Sequence, residues 1–106
     1  MRARFVRSLG KYLRVKRSYL RSILSGRKRV TVRLGLVRIP YRRVYLECGE
    51  RVYGEVEITS VEYLKFSELS EDLAREDGFA SLGEMVAALT SIYPDISPDD
   101  VVTVIR

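Results

Sequence analysis

The sequence predicts an α+β fold, a small curved sheet or partial barrel with flanking helices. Two observations carry that prediction. Strand-like stretches follow one another through the middle of the chain, and helix-like stretches stand apart from them, without the regular strand–helix alternation of a parallel α/β sheet. The length of 106 residues suits one domain, residues 1–106, with one modest core, and a hydrophobic content of 46% is that of a globular chain.

From Tyr12 to Lys16, Leu13 and Val15 alternate with charged neighbours, the pattern of a short strand. Arg17 to Ser25 has helical spacing, with Leu20, Ile23 and Leu24 on one face. Gly26 is placed to end that helix, because glycine enters the left-handed region without steric cost. Arg29 to Gly35 alternates Val30, Val32 and Leu34 with Arg29, Thr31 and Arg33, a half-buried strand with a basic outer face. Arg38 to Arg43 contains Pro40 and reads as a loop. Val44 to Glu47 and Val52 to Val61 read as two strands joined by a turn around Gly49-Glu50.

The acidic part of the chain then turns helical. Ser70 can cap a short helix through Glu76, and Gly78 can close it. Ser81-Leu82-Gly83-Glu84 has the spacing of a capping box and opens a helix to Tyr93, with Leu82, Met85, Val86 and Leu89 as its buried stripe. Pro94 stops that helix, and Val101 to Ile105 is a final strand.

Charge is segregated along this frame. Met1 to Arg43 holds fifteen Lys and Arg and no acid, whereas Val44 to Arg106 holds four cations and all fourteen acids. Cations gathered on one face suit a polyanion, whose phosphates release counterions when neutralised, so the pattern points to RNA or a nucleotide. Two other readings are open: the halves neutralise each other inside the domain, or the basic half docks an acidic protein.

Composition narrows the chemistry. With no His and a single cysteine, Cys48, ordinary zinc, haem and iron–sulfur sites are excluded, as are Ser-His-Asp and Cys-His catalysis, so neither metal nor cofactor is expected. The lone cysteine, the lack of a membrane-length apolar run and the lack of a secretory signal predict a cytoplasmic protein. Fifteen Arg against four Lys, with no Asn or Gln, hint at a heat-adapted, thermophilic source.

The informative stretch is Ser22 to Gly35, where a helix ends at Gly26 and the cations Arg27, Lys28 and Arg29 lead into a strand. Thr31 and Arg33 project from that strand opposite Val30 and Val32. They would line a concavity with Lys28 and Arg27 at its mouth. Arg can grip a phosphate in bidentate fashion, and a Lys crowded by Arg27 and Arg29 should lose its proton more readily than a free one. The plainer reading is a solvated basic turn beside an amphipathic strand.

Gly26-Arg27-Lys28 followed by Thr31-Val32-Arg33 resembles the Gly-x-Lys and Thr-x-Arg pattern of the ASCH domain, in the PUA-like superfamily. Ala74-Arg75-Glu76-Asp77-Gly78-Phe79, followed by a helix and a closing strand, matches a second block of that family, where Glu is commoner than Asp77. The resemblance runs from about Leu13 to Arg106 and implies a PUA-like partial β-barrel with a cleft, and a role in binding RNA. The length and the Ile92-Tyr93-Pro94 segment are also similar to small bacterial ASCH proteins that remove the acyl group from acetylcytidine. Carried over by position, their catalytic Lys, Thr and Glu fall on Lys28, Thr31 and Asp77. Asp77 is a methylene shorter than Glu, which would leave its carboxylate about 1.5 Å short unless the backbone moves. Asp77 can also simply serve the turn before Gly78.

The expected function is therefore binding of RNA or a nucleotide beside Gly26–Arg33 by Arg27, Lys28, Arg29, Thr31 and Arg33. Tyr41, Arg42 and Arg43 are added from the loop, Tyr41 as a stacking ring. The alternative is an amidohydrolase acting through Lys28, Thr31 and Asp77. Glu55, Glu57 and Glu62 read as a solvated strand face, and Cys48 as a small buried residue. The oligomeric state is left open by the sequence.

Overall fold

The computed structural model describes residues 6–106 and has the predicted α+β architecture. Its strands are β1 (Val6–Ser8), β2 (Tyr12–Arg14), β3 (Thr31–Leu34), β4 (Leu36–Arg38), β5 (Arg43–Cys48), β6 (Arg51–Glu57), β7 (Val61–Lys65) and β8 (Val101–Ile105). The helices are α1 (Arg17–Leu24), α2 (Glu71–Glu76) and α3 (Leu82–Ile92), with one 3₁₀ turn at Phe66–Glu68. Among the described residues the strands form three sheets, ordered β1-β4, β2-β5-β6 and β3-β8-β7, which do not close into a complete barrel.

β8 is the hub. It pairs antiparallel with β3 on one side and β7 on the other, and all five of its residues are buried. Val102 and Val104 face one core with Val30, Val32, Leu73, Met85 and Leu89 beneath α2 and α3. Ile105 faces the other core with Leu13, Leu20, Val44, Leu46 and Ile58. A strand covered on both faces reads as a continuous apolar run, which is why this element was so legible. The exception, Thr103, is satisfied: its hydroxyl donates to Gly35 O at 2.7 Å and accepts from Val37 N–H at 3.0 Å. Gly35, at φ 92°, makes the bend from β3 to β4 there.

Three expectations are corrected. Val52 to Val61 is not one strand. β6 pairs with β5 and ends at Glu57, Ile58 drops into the second core, and β7 begins in the sheet of β8. The apolar alternation changes phase across Thr59-Ser60, from Val56 and Ile58 to Val61 and Tyr63, a break that a single-strand reading passes over. Arg38 and Arg43 belong to strands, leaving only the middle of the expected loop, and the short parallel pair β1–β4 had no readable period. Leu24 is 59% exposed. Ile23 and Leu24 flank Leu20 on opposite sides of α1, and the core lies on the Ile23 side.

Charge segregation in sequence is partly undone in space. Arg14 pairs with Glu47 and Arg43 with Glu55 and Glu57, while Arg106 pairs with Glu62 and Glu76 inside the acidic half. No helix among the described residues is long and apolar enough to cross a membrane.

Candidate functional site

Two helix ends meet at Lys28. α1 stops at Ser25, Gly26 turns the chain at φ 82°, and Lys28 N–H donates to Ser22 O at 3.0 Å. Arg29 N–H then donates to Glu76 O at 2.7 Å, tying this turn to the last turn of α2. α2 itself starts at Ser70, whose hydroxyl accepts from Leu73 N–H, and ends on Asp77 as its C-cap, with Gly78 at φ 90°. These two turns press together closely, since a Cβ on Gly78 would meet Lys28 Cβ at 3.5 Å.

The Lys28 ammonium makes an ion pair with Asp77 Oδ1, and the two side chains are only 6% and 5% exposed. Lys28 Nζ also donates to Val30 O at 3.0 Å and stands 4.9 Å from the centroid of the Tyr19 ring. Burial, and secondarily the Arg33 charge, lowers the Lys28 pKa to about 8. The direction matches the sequence expectation but the cause differs. Arg27 and Arg29 are both exposed, and the cation that acts on Lys28 is Arg33.

The pair forms one end of a cavity of about 150 Å³. Its polar lining is Arg14, Lys16, Lys28, Thr31, Arg33 and Asp77, and Tyr19, Phe79 and Tyr93 supply aromatic walls. Tyr19 and Phe79 meet edge to face, with centroids 6.5 Å apart. Arg33 is half-buried and its guanidinium donates to Arg14 O at 2.7 Å. Burial pulls Arg33 below the usual arginine value, Tyr93 acts to raise it and Arg7 to lower it.

Of the residues singled out from the sequence, Lys28, Thr31, Arg33 and Asp77 thus share one cavity. Arg27 is exposed outside it, and Arg29 faces a neighbouring depression beside Glu57 and Arg106 that Lys28 and Thr31 also border. Tyr41 and Arg43 line a further depression with Lys11 and Tyr45, and Arg42 is an exposed loop residue whose carbonyl accepts from Ile58 N–H. Arg14 and Lys16 line the cavity without any signal in the sequence that marks them. Phe79 and Tyr93 stand inside the matched sequence blocks, but nothing in their spacing says that they line one cavity. Among the described residues no group of three or more His, Cys, Asp or Glu is placed to hold a metal ion.

Asp77, although a methylene shorter than Glu, reaches the Lys28 ammonium from a buried position. Asp77→Glu should therefore overfill a buried site and lower stability by about 1–3 kcal/mol, measurable by urea titration. A stabilised Glu variant would mean that the turn is held open by the shorter side chain.

No family model matches the chain, and no curated relative matches it. Among solved structures it is similar to the ASCH domain from Lactobacillus crispatus JV V101, with a TM-score of 0.69 and 18% identity over 98% of this chain and 79% of that one. At that identity the likeness concerns the fold, and the fold is of the ASCH type.

Proposed function

We propose, from the premise of an ASCH-type fold, that this chain binds RNA or a nucleotide by taking one base into the cavity beside Gly26–Arg33. The observation that carries this reading is the mixed polarity of a partly open, aromatic-walled cavity of about 150 Å³. Lys28 is a donor and Asp77 an acceptor at its inner end, and Thr31 can be either. A phosphate there would be repelled by the buried carboxylate, whereas the edge of a base offers both donors and acceptors. Arg33 and Lys16 are the cations left for the phosphate, with the outer N–H groups of Arg14, whose Nε pairs with Glu47.

Arg33→Lys should weaken binding of a ribonucleoside monophosphate by about 1–3 kcal/mol, since Lys cannot keep the contact to Arg14 O and also grip phosphate with a planar fork. Arg27→Ala, outside the cavity, should change it little. Calorimetric titration of both variants tests this. Equal small losses would mean a diffuse basic field and no defined nucleotide site.

A second reading is favoured by one specific observation, the contact of a Lys of pKa about 8 with a carboxylate in a cavity that also holds Thr31. As an amidohydrolase on an acylated pyrimidine nucleoside such as acetylcytidine, Thr31 Oγ would attack the acyl carbon while neutral Lys28 takes its proton. The C–N bond would break as that proton passes to the leaving amine, with Asp77 holding Lys28 in place. Water would then release the acyl group from Thr31 as acetate.

A further inference from the structure

The cavity does not stand alone on its side of the molecule. Arg14 and Arg33 line both the cavity and a neighbouring groove of about 310 Å³, whose other walls include Arg7, Ser8 and Tyr12. Tyr12 sits opposite Tyr45 in the parallel β2–β5 pair, and their ring centroids are 5.4 Å apart. Tyr45 in turn lines the next depression, where Lys11 Nζ stands 5.5 Å from the Tyr41 ring. The first two depressions thus share arginine walls, and the Tyr12–Tyr45 contact joins the second to the third.

The three rings are 47%, 42% and 41% exposed at Tyr12, Tyr41 and Tyr45, so the core of the domain does not employ them. Among the described residues no ion pair engages Arg7, Lys11 or Arg33, and these cations stand along the same path. Cations that track a backbone, interleaved with exposed rings on which bases stack, are what a single strand of nucleic acid requires. An acidic protein would use the cations but need not present a planar group to Tyr12 and Tyr45, whereas every base of a nucleic acid has a π-face. A free nucleoside would leave groove and rings unused.

We infer that the ligand is a single-stranded oligonucleotide, with one base in the cavity, the adjoining phosphate over Arg7, Arg14 and Arg33, and the next base on Tyr12 and Tyr45. The inference rests on the nucleotide reading of the cavity and extends it from one unit to at least two.

The experiment is a titration of the whole protein with each of the four ribonucleoside monophosphates and with the matching homotetramers. The best tetramer should bind at least about tenfold more tightly than its monomer. Tyr12→Ala and Tyr45→Ala should each cost roughly 5- to 150-fold in tetramer affinity, the range for one stacked base, and leave the monomer unaffected. Tyr→Phe at either position should restore tetramer binding, because the ring is what acts. A tetramer no tighter than its monomer would overturn the inference and leave the cavity reading standing. So would tetramer affinity that survives both alanine variants, or equal affinity for an oligoglutamate of matched charge. Failure of every monomer and every tetramer to bind would remove the cavity reading and this inference together.

Discussion

Lys28→Met should destabilise the protein by about 3–4 kcal/mol, because it leaves the Asp77 carboxylate buried without its counter-charge. The side chains are 6% and 5% exposed, so solvent screens the pair very little. A stranded carboxylate can relieve the penalty by taking up a proton, which caps the cost near about 4 kcal/mol at pH 7. Lys28→Met combined with Asp77→Leu should recover most of that loss, since a buried ion pair replaced by apolar groups of similar size is often neutral or better. Urea titrations of the two single variants and the double variant form the required cycle. Losses that simply add would place the stability in the packing of Gly78 on Lys28 and not in the charge pair. If the double variant is stable and binds no nucleotide, the pair is maintained for its ligand, because the fold does without it.

The parts of this chain that could be read from sequence are those governed by local chemistry. Ser70 and Ser81 receive the N–H groups of Leu73 and Glu84 at 3.2 Å, as their spacing required. Glu84 reaches back to Ala80 N–H, one residue before the cap. Alternation along β3 correctly set Val30, Val32 and Leu34 inward and Thr31 and Arg33 towards the other side. The break between β6 and β7 shows in the sequence only as a phase change at Thr59-Ser60, and which sheet each half joins is set by its partners.

The site divides in the same way. Lys28, Thr31 and Arg33 fall within six residues around one turn and strand, so their proximity was implicit in a single element. Asp77 came only from a matched block nearly fifty residues away. Tyr19, Phe79 and Tyr93 come from α1, the turn after α2 and the end of α3, and only the packing of those elements brings them to one cavity. Charge segregation overstated the free basic surface, because the acidic half folds back onto it through Glu47, Glu55 and Glu57. What it did indicate is the residue left after pairing, in which Arg7, Lys11 and Arg33 remain along one path.

Raising the pH through about 8 should reduce affinity for a ribonucleoside monophosphate, because Lys28 changes there from an ammonium to a neutral amine. The ammonium supplies a charge-assisted hydrogen bond, worth roughly 1.5–3 kcal/mol when it meets an acceptor on the base. Unfolding would not mimic that loss through this group. The folded pKa lies below the ordinary 10.5, so between about 8 and 10.5 the unfolded chain binds more protons than the folded one. Stability contributed by Lys28 therefore rises with pH across that window while affinity falls. The amidohydrolase reading has the opposite sign, because a base must be free to accept the Thr31 proton, and turnover would climb through pH 8 to a plateau. Thr31→Val separates the two a second time. Binding should lose little with it, since Lys28, Asp77 and Arg33 remain, whereas hydrolysis through a Thr31 acyl intermediate should be abolished. The expected result is falling affinity, a nearly silent Thr31→Val and intact acetylcytidine. Turnover that rises with an apparent pKa near 8 and vanishes in Thr31→Val would make this cavity an active site, with Lys28 as its base.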